Sequence, residues 1–194
     1  MGLGTGALAC YGKPGQTFTF FEIDPLVERI ARDPALFTYL RDCGASARIV
    51  IGDARLSLAR VADHSFDLLV LDAFSSDAIP IHLLTQEALK LYFSKLTDDG
   101  IAAIHISNRY LNLEPVLGRL AEDLGLLALI RSDDEKTDEE EEQGKFSSTW
   151  VIMTRAQNSL APFAEDERWQ KLESGPDLWT DSYSNILRLL KRRN

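Results

Sequence analysis

Three glycines near the start of the chain have the spacing of a ligand-binding turn. Gly2, Gly4 and Gly6 alternate with larger residues, and Thr5 lies inside the motif. Glycine lets the backbone turn tightly and approach a ligand, whose polar groups can then bind backbone N–H groups at a helix start. Ala7, in the next small position, also suits the dinucleotide-binding form of this motif. The glycines alone therefore leave NAD and an S-adenosyl compound as alternatives.

Acidic residues follow three successive predicted strands. Glu22 lies close to the distance of ~20 residues at which a strand-end carboxylate accepts hydrogen bonds from ribose. Asp53 follows the next strand, where it could accept from an adenine amino group, and Asp72 ends the most apolar strand. Each acid alone could be an ordinary turn residue. Together they favour an S-adenosyl ligand, because extra carboxylates would repel the pyrophosphate of NAD; Ile23 and Ala54 are included among the nucleoside-binding residues.

The elements that must position these residues alternate between strands and helices. Strands are expected at 17–23, 48–51, 66–71, 101–106, 126–130 and 149–154, and helices at 4–11, 25–43 (broken at Pro34), 83–96 and 113–124. This order predicts an α/β fold with a mostly parallel sheet, helices on both faces and an antiparallel last strand. Because the glycine turn opens at residue 2, the first strand is expected to be truncated or missing, which would leave its neighbours unpaired.

The length and composition are those of one globular domain. We expect residues 1–194 to form a single S-adenosyl-nucleoside-binding catalytic domain, with an acidic loop at 133–145 and a helical tail at 163–194. Cys10 and Cys43 have no metal-ligand spacing and are interpreted as reduced cysteines of a cytoplasmic protein. No metal site and no membrane span are expected.

The net charge of −9 comes mostly from one segment, the run from Asp133 to Glu142. No basic face is evident elsewhere, which argues against a nucleic-acid partner. One hypothesis is that the acidic run attracts a polycation; a solvated loop is the plainer interpretation.

Several segments of the chain resemble one known family. They are Gly2–Gly6, Glu22–Asp24, Gly52–Ala54, Asp72–Asp77, Ile79–Thr85, His105–Arg109 and Trp179–Asp181. From residue 2 to about residue 111, the chain resembles the catalytic domain of the polyamine aminopropyltransferases, the spermidine synthase family, and in particular its bacterial spermidine synthase-like members.

The resemblance implies a Rossmann-like methyltransferase fold and a role for each acid. It places Glu22 on ribose, Asp53 on adenine, and Asp72 with Asp77 around the reacting amine. The implied co-substrate is S-adenosylmethionine or its decarboxylated form, without a metal, and the implied acceptor is a small cationic amine. A homodimer is compatible with this assignment.

Two departures from the family pattern concern the substrate. Family synthases carry an aspartate where Thr5 stands here, and they use it to hold the amine of the decarboxylated donor. The N-terminal hairpin domain that covers the polyamine in those enzymes is also absent from this sequence. A methyltransferase and a non-catalytic nucleoside-binding module of a larger protein therefore remain alternatives.

The expected reaction needs a deprotonated amine. Alkylamines have a pKa of about 10, so the site must bind the cation, remove a proton and align the nitrogen with the carbon–sulfur bond. We assign Asp72 as the proton acceptor and Asp77 as the group that pairs with the amine.

Other polar and aromatic residues are given plainer roles. His105 is interpreted as a core histidine. Trp150, Trp179 and Asp181 could pack over the substrate, although large aromatic residues are more often part of the core. The segment 108–110 could line a pocket or lead into a helix, and both alternatives stay open.

Overall fold

The computed structural model describes residues 1–44, 46–73, 80–133 and 147–191. The chain divides into two compact units, residues 1–61 and 62–194, and each is described by itself.

The first unit is a two-stranded parallel sheet with short helices. Its elements are a 3-10 helix (Ala7–Tyr11), β1 (Phe18–Glu22), α1 (Pro25–Arg32), α2 (Tyr39–Cys43), β2 (Ala47–Ile51) and α3 (Ala54–Ala59). Strand β1 is rich in aromatic residues, which favour strands, and Phe20 and Phe21 are buried. Buried Leu3, Ala9, Phe20 and Ala31 form the core of the unit.

Helix α1 begins and ends where the sequence predicts. The side chain of Asp24 caps it by accepting a hydrogen bond from the Leu26 N–H (2.8 Å), and Pro25 occupies the first position. The helix ends at Arg32, two residues before Pro34. Both expectations are confirmed.

The expectation of two reduced cysteines is wrong. Cys10 and Cys43 form a disulfide, with their Cα atoms 4.8 Å apart. Cys10 lies in the 3-10 helix after the glycine turn and Cys43 is the last residue of α2, and both segments contribute to the same core. A separation of 33 residues gives no sequence signal of this contact.

The second unit contains a five-stranded sheet. Its strands are β3 (Phe66–Leu71), β4 (Leu96–His105), β5 (Leu127–Ser132), β6 (Thr149–Thr154) and β7 (Gln170–Lys171), in the order β3-β4-β6-β5-β7. Its helices are α4 (Gln86–Lys95), α5 (Glu114–Leu124) and α6 (Ala161–Ala164), with 3-10 helices at Ile81–Leu83, Gln157–Leu160 and Leu187–Leu189. The tail at 163–194 was expected to be helical in pieces. Among its described residues after α6, the one helical element is the 3-10 helix Leu187–Leu189.

The register of the second sheet places the end of β3 beside the end of β4. These strands pair in parallel, with Leu71 opposite Ile104. Strand β6 is antiparallel to both β4 and β5, as predicted for the last strand, and His105 lies opposite Trp150. The residues that follow Leu71 and Ile104 therefore lie at the same edge.

No strand precedes the glycine turn among the described residues, and the Gly2 N–H donates one hydrogen bond to the Phe21 carbonyl (2.9 Å). Strands β1 and β3 each have one hydrogen-bonded neighbour among the described residues. Across the described ranges, no helix has the length and apolar character needed to cross a membrane.

Candidate functional site

The predicted glycine turn has backbone conformations that require glycine. Gly2, Gly4 and Gly6 have φ values of 89°, 54° and 84°, in the left-handed region that L side chains rarely adopt. A Cβ on Gly4 would have nothing within 4 Å, whereas a Cβ on Gly6 would lie 2.7 Å from Cγ of Leu40. Gly6 is therefore needed for packing, and Gly4 leaves one side of the turn open.

Glu22 holds this turn to the end of β1. Its Oε2 accepts a hydrogen bond from the Leu3 N–H (2.9 Å) and its Oε1 accepts one from the Asp24 N–H (3.0 Å). Glu22 is only 8% exposed, so it differs from an ordinary solvated acid at the end of a strand. Each carboxylate oxygen can accept more than one hydrogen bond, so these contacts leave capacity for hydroxyl donors.

The end of β2 lies beside the end of β1. Glu22 pairs with Ile51, and the Gly52 N–H donates to the Glu22 carbonyl (2.8 Å). Asp53 caps α3 by accepting from the Leu56 N–H (2.8 Å), with Ala54 as the first helical residue. The structure thus brings the predicted glycines, Glu22 and Asp53 to one edge of the first unit.

Ile23 is unusually exposed for an aliphatic residue at the end of a buried strand. It is 69% exposed, although Phe21 and Glu22, the two residues before it, are buried. An exposed apolar side chain beside the glycine turn and the Glu22 carboxylate could contact the face of a planar ring.

Asp72 lies directly after β3 and contacts a histidine of β4. Its Oδ1 is 2.9 Å from Nδ1 of His105, and its side chain is 43% exposed. Among the described residues, Oδ2 has no hydrogen-bond partner. This carboxylate can therefore bind a cation from solvent while one oxygen stays fixed.

His105 is the residue that the sequence interpretation missed. It follows the apolar residues 101–104 of β4 and was expected to be core, but its side chain is 22% exposed and contacts Asp72. Its Nε2 is 2.7 Å from Oγ of Ser107, and its ring stacks on Trp150 with centroids 4.9 Å apart. The parallel register pairs Leu71 with Ile104, so Asp72 and His105 are the next residues along the two strands. Knowledge of this register would have indicated their contact.

The segment after β4 forms a loop around Asn108. The Asn108 side-chain oxygen accepts from the N–H groups of Tyr110 (2.9 Å) and Leu111 (2.8 Å). Nζ of Lys191, from the tail, donates to the Asn108 carbonyl (2.9 Å). Arg109 and Tyr110 are exposed and contact each other, with the guanidinium 5.6 Å from the ring centroid. Asn108 therefore shapes the loop leading to α5.

Trp179 and Asp181 support the start of α4. Trp179 is fully buried, as expected for a core residue, and its carbonyl accepts from the Gln86 N–H (2.9 Å). Asp181 accepts from Oγ1 of Thr85 (2.7 Å), the residue that caps α4. These contacts explain the position of the segment by packing and capping.

Two expectations fall on residues outside the described ranges. Asp77, expected to pair with the amine, is one of them, and so is most of the acidic run. Over the described parts of the chain, no cluster of three or more His, Cys, Asp or Glu residues could hold a metal ion.

Comparison with known proteins agrees with the resemblance seen in the sequence. A curated relative, the polyamine aminopropyltransferase of Vibrio vulnificus, is 32% identical over 90 residues, which are 45% of this chain and 29% of that protein. The chain therefore matches less than a third of the length of this relative. No protein-family model matches the chain.

Solved structures share the fold over most of the chain. A probable spermidine synthase from Corynebacterium glutamicum superposes with a TM-score of 0.65 at 17% identity, covering 96% of this chain and 72% of that one. Spermidine synthase from Thermotoga maritima gives a TM-score of 0.50 at 14% identity, covering 86% and 54%. The predicted α/β fold of the Rossmann-like methyltransferase type is confirmed, and so is the resemblance to the spermidine synthase family.

Proposed function

We propose that this chain transfers an aminopropyl group from decarboxylated S-adenosylmethionine to a small polyamine. The proposal treats residues 1–194 as one catalytic domain. The observation that carries it is the carboxylate of Asp72, which follows β3 with Oδ1 fixed by His105 and with Oδ2 lacking a partner among the described residues. A fixed, half-exposed carboxylate can bind an ammonium group. The curated relative also supports the proposal, because it is named a polyamine aminopropyltransferase.

The first unit would bind the nucleoside part of the donor. Backbone N–H groups and the open side of Gly4 allow a close approach, and Glu22 retains acceptor capacity for the ribose hydroxyls. Asp53 would accept from the adenine amino group, and exposed Ile23 would cover the ring. Gly2, Thr5, Gly6 and Ala54 complete the proposed nucleoside-binding set.

The second unit would supply the proton acceptor. The donor's sulfonium provides an electrophilic carbon and a neutral thioether leaving group. Asp72 accepts one proton from the substrate ammonium, which frees the nitrogen lone pair. That lone pair forms the new carbon–nitrogen bond while the carbon–sulfur electron pair stays on sulfur, so the products are a longer polyamine and methylthioadenosine. Asp77 would pair with the cationic amine.

A methyltransferase is the second candidate, and Thr5 favours it. A neutral side chain neither pairs with the donor amine nor repels the carboxylate of ordinary S-adenosylmethionine. With that donor, the same attack by an amine would transfer a methyl group.

Calorimetry and product analysis separate these possibilities. S-adenosylmethionine, its decarboxylated form and methylthioadenosine would be titrated into the chain, and each donor would then be incubated with putrescine. Tighter binding and turnover of the decarboxylated donor supports our proposal, and methyl transfer supports the second candidate. Binding without any turnover would indicate a nucleoside-binding module. Action in the cytoplasm, a homodimer and the lack of a nucleic-acid partner stay predictions from the sequence.

A further inference from the structure

A chain of polar contacts runs from Asp72 into the second sheet. Nδ1 of His105 lies 2.9 Å from the Asp72 carboxylate, and Nε2 lies 2.7 Å from Oγ of Ser107. Oγ of Ser107 accepts a hydrogen bond from the backbone N–H of Thr149 (2.8 Å), which belongs to the neighbouring strand β6. Ser107, the last side chain in this series of contacts, is thus hydrogen-bonded to the backbone of β6.

The hydrogen-bond partners favour one arrangement of protons on the imidazole. An ionised carboxylate only accepts hydrogen bonds, so Nδ1 of His105 must carry a proton to bond with Asp72. Because Oγ of Ser107 already accepts from a backbone N–H, its hydroxyl hydrogen can be donated to Nε2. A neutral imidazole with its proton on Nδ1 satisfies both contacts, and Trp150 stacked on the ring restrains its orientation.

We propose that His105, held as the neutral Nδ1–H tautomer by Ser107, is the positioning residue for Asp72. This inference rests on the proposed function. Without His105, a carboxylate that is 43% exposed could rotate freely. The hydrogen bond fixes Oδ1 and thereby directs Oδ2 towards the amine that gives up its proton. A neutral ring also adds no positive charge beside a cationic substrate.

The order of groups is also that of a nucleophilic Ser-His-Asp triad. The backbone N–H of Thr149 argues against that use of Ser107, because it occupies a lone pair of the oxygen that would attack. We therefore assign Ser107 to fixing the tautomer.

Variants of His105 test the assignment through the atoms they retain. The amide of His105→Asn can replace Nδ1 and donate to Asp72, whereas the amide of His105→Gln replaces Nε2 and reaches Ser107. We expect His105→Gln and His105→Leu to lower kcat by about 10²-fold, the loss typical of a misplaced reacting group, and His105→Asn to retain more activity than either. The KM for the amine and the binding of methylthioadenosine should change little.

Nitrogen-15 NMR of the full chain gives a readout that does not depend on turnover. The His105 ring should show a protonated Nδ1 and an unprotonated Nε2, and Ser107→Ala should redistribute the tautomers. A proton on Nε2 alone, or equal kcat in the Asn, Gln and Leu variants, would overturn the assignment. If NMR shows the expected tautomer and no donor is turned over, it is the proposed function that fails.

Discussion

The carboxylate of Glu22 accepts a hydrogen bond from the backbone N–H of Leu3 at 2.9 Å, across 19 residues of the chain. Its other oxygen accepts from the Asp24 N–H at 3.0 Å. A single buried side chain therefore fixes both the glycine turn and the start of α1 to the end of β1. Buried hydrogen bonds to a charged group contribute more than neutral ones, so this contact should matter for folding as well as for ligand binding.

We expect Glu22→Gln to destabilise the chain and weaken nucleoside binding. Glutamine keeps one acceptor oxygen, but its NH2 group would face the second backbone N–H. The loss should be about 1–3 kcal/mol in the free energy of unfolding, measured with urea. Glu28→Gln is the matched control, because Glu28 makes a surface pair with Arg32 within α1. Equal unfolding and methylthioadenosine binding in the two variants would contradict the role of Glu22.

Two alanine variants separate packing from ligand access in the glycine turn. Both Gly4 and Gly6 have positive φ, so alanine at either should cost about 1–2 kcal/mol from backbone strain. Gly6→Ala also brings Cβ to 2.7 Å from Leu40 and should lower Tm further. The Cβ of Gly4→Ala meets no other atom of the chain within 4 Å. We therefore expect Gly4→Ala to lower Tm less than Gly6→Ala does, and to weaken methylthioadenosine binding more for a given loss of Tm. The reverse order of Tm values would refute this interpretation.

The disulfide between Cys10 and Cys43 should stabilise the first unit. Closing a loop with a separation of 33 residues reduces the entropy of the unfolded chain, which corresponds to about 3–4 kcal/mol. Urea unfolding of the oxidised chain should therefore occur at higher concentration than that of Cys10→Ser with Cys43→Ser. Reductant should destabilise the wild type and leave the double variant unchanged. A wild type insensitive to reductant, with free thiols detected in the native state, would show that the bond does not form.

Thr5 should influence the choice of donor. An aspartate at this position would attract the amine of decarboxylated S-adenosylmethionine and repel the carboxylate of the ordinary form. We expect Thr5→Asp to shift the ratio of their dissociation constants by about tenfold, or 1.4 kcal/mol, towards the decarboxylated form. Thr5→Asn has a similar size without charge and should leave the ratio near that of the wild type. A shift of equal size in both variants would rule out the charge as its cause.

Much of the first unit could be predicted from local sequence signals. Asp24 and Pro25 marked the start of α1, Pro34 marked its end, and the three glycines marked a tight turn, in which all three have positive φ. These features depend on residues close together in the chain, where backbone sterics and capping decide the structure.

The contacts that sequence reasoning missed are between distant residues. The disulfide depends on how α2 packs near the glycine turn, and the contact between His105 and Asp72 depends on the register of β3 against β4. An apolar strand predicts a buried neighbourhood but does not fix its register to one residue. The sequence therefore predicts a core position for His105, although this residue lies at the carboxyl end of β4 with a partly exposed side chain.

The most direct test of the proposed chemistry is the kcat of Asp72→Asn with decarboxylated S-adenosylmethionine and putrescine. Asparagine cannot accept the ammonium proton, so we expect kcat to fall by about 10²–10⁴-fold while methylthioadenosine binds as in the wild type. Asp67→Asn is the control, because Asp67 is an exposed acid of the same strand that contacts Thr97 (3.3 Å). Wild-type turnover by Asp72→Asn would contradict the assignment of Asp72 as the proton acceptor.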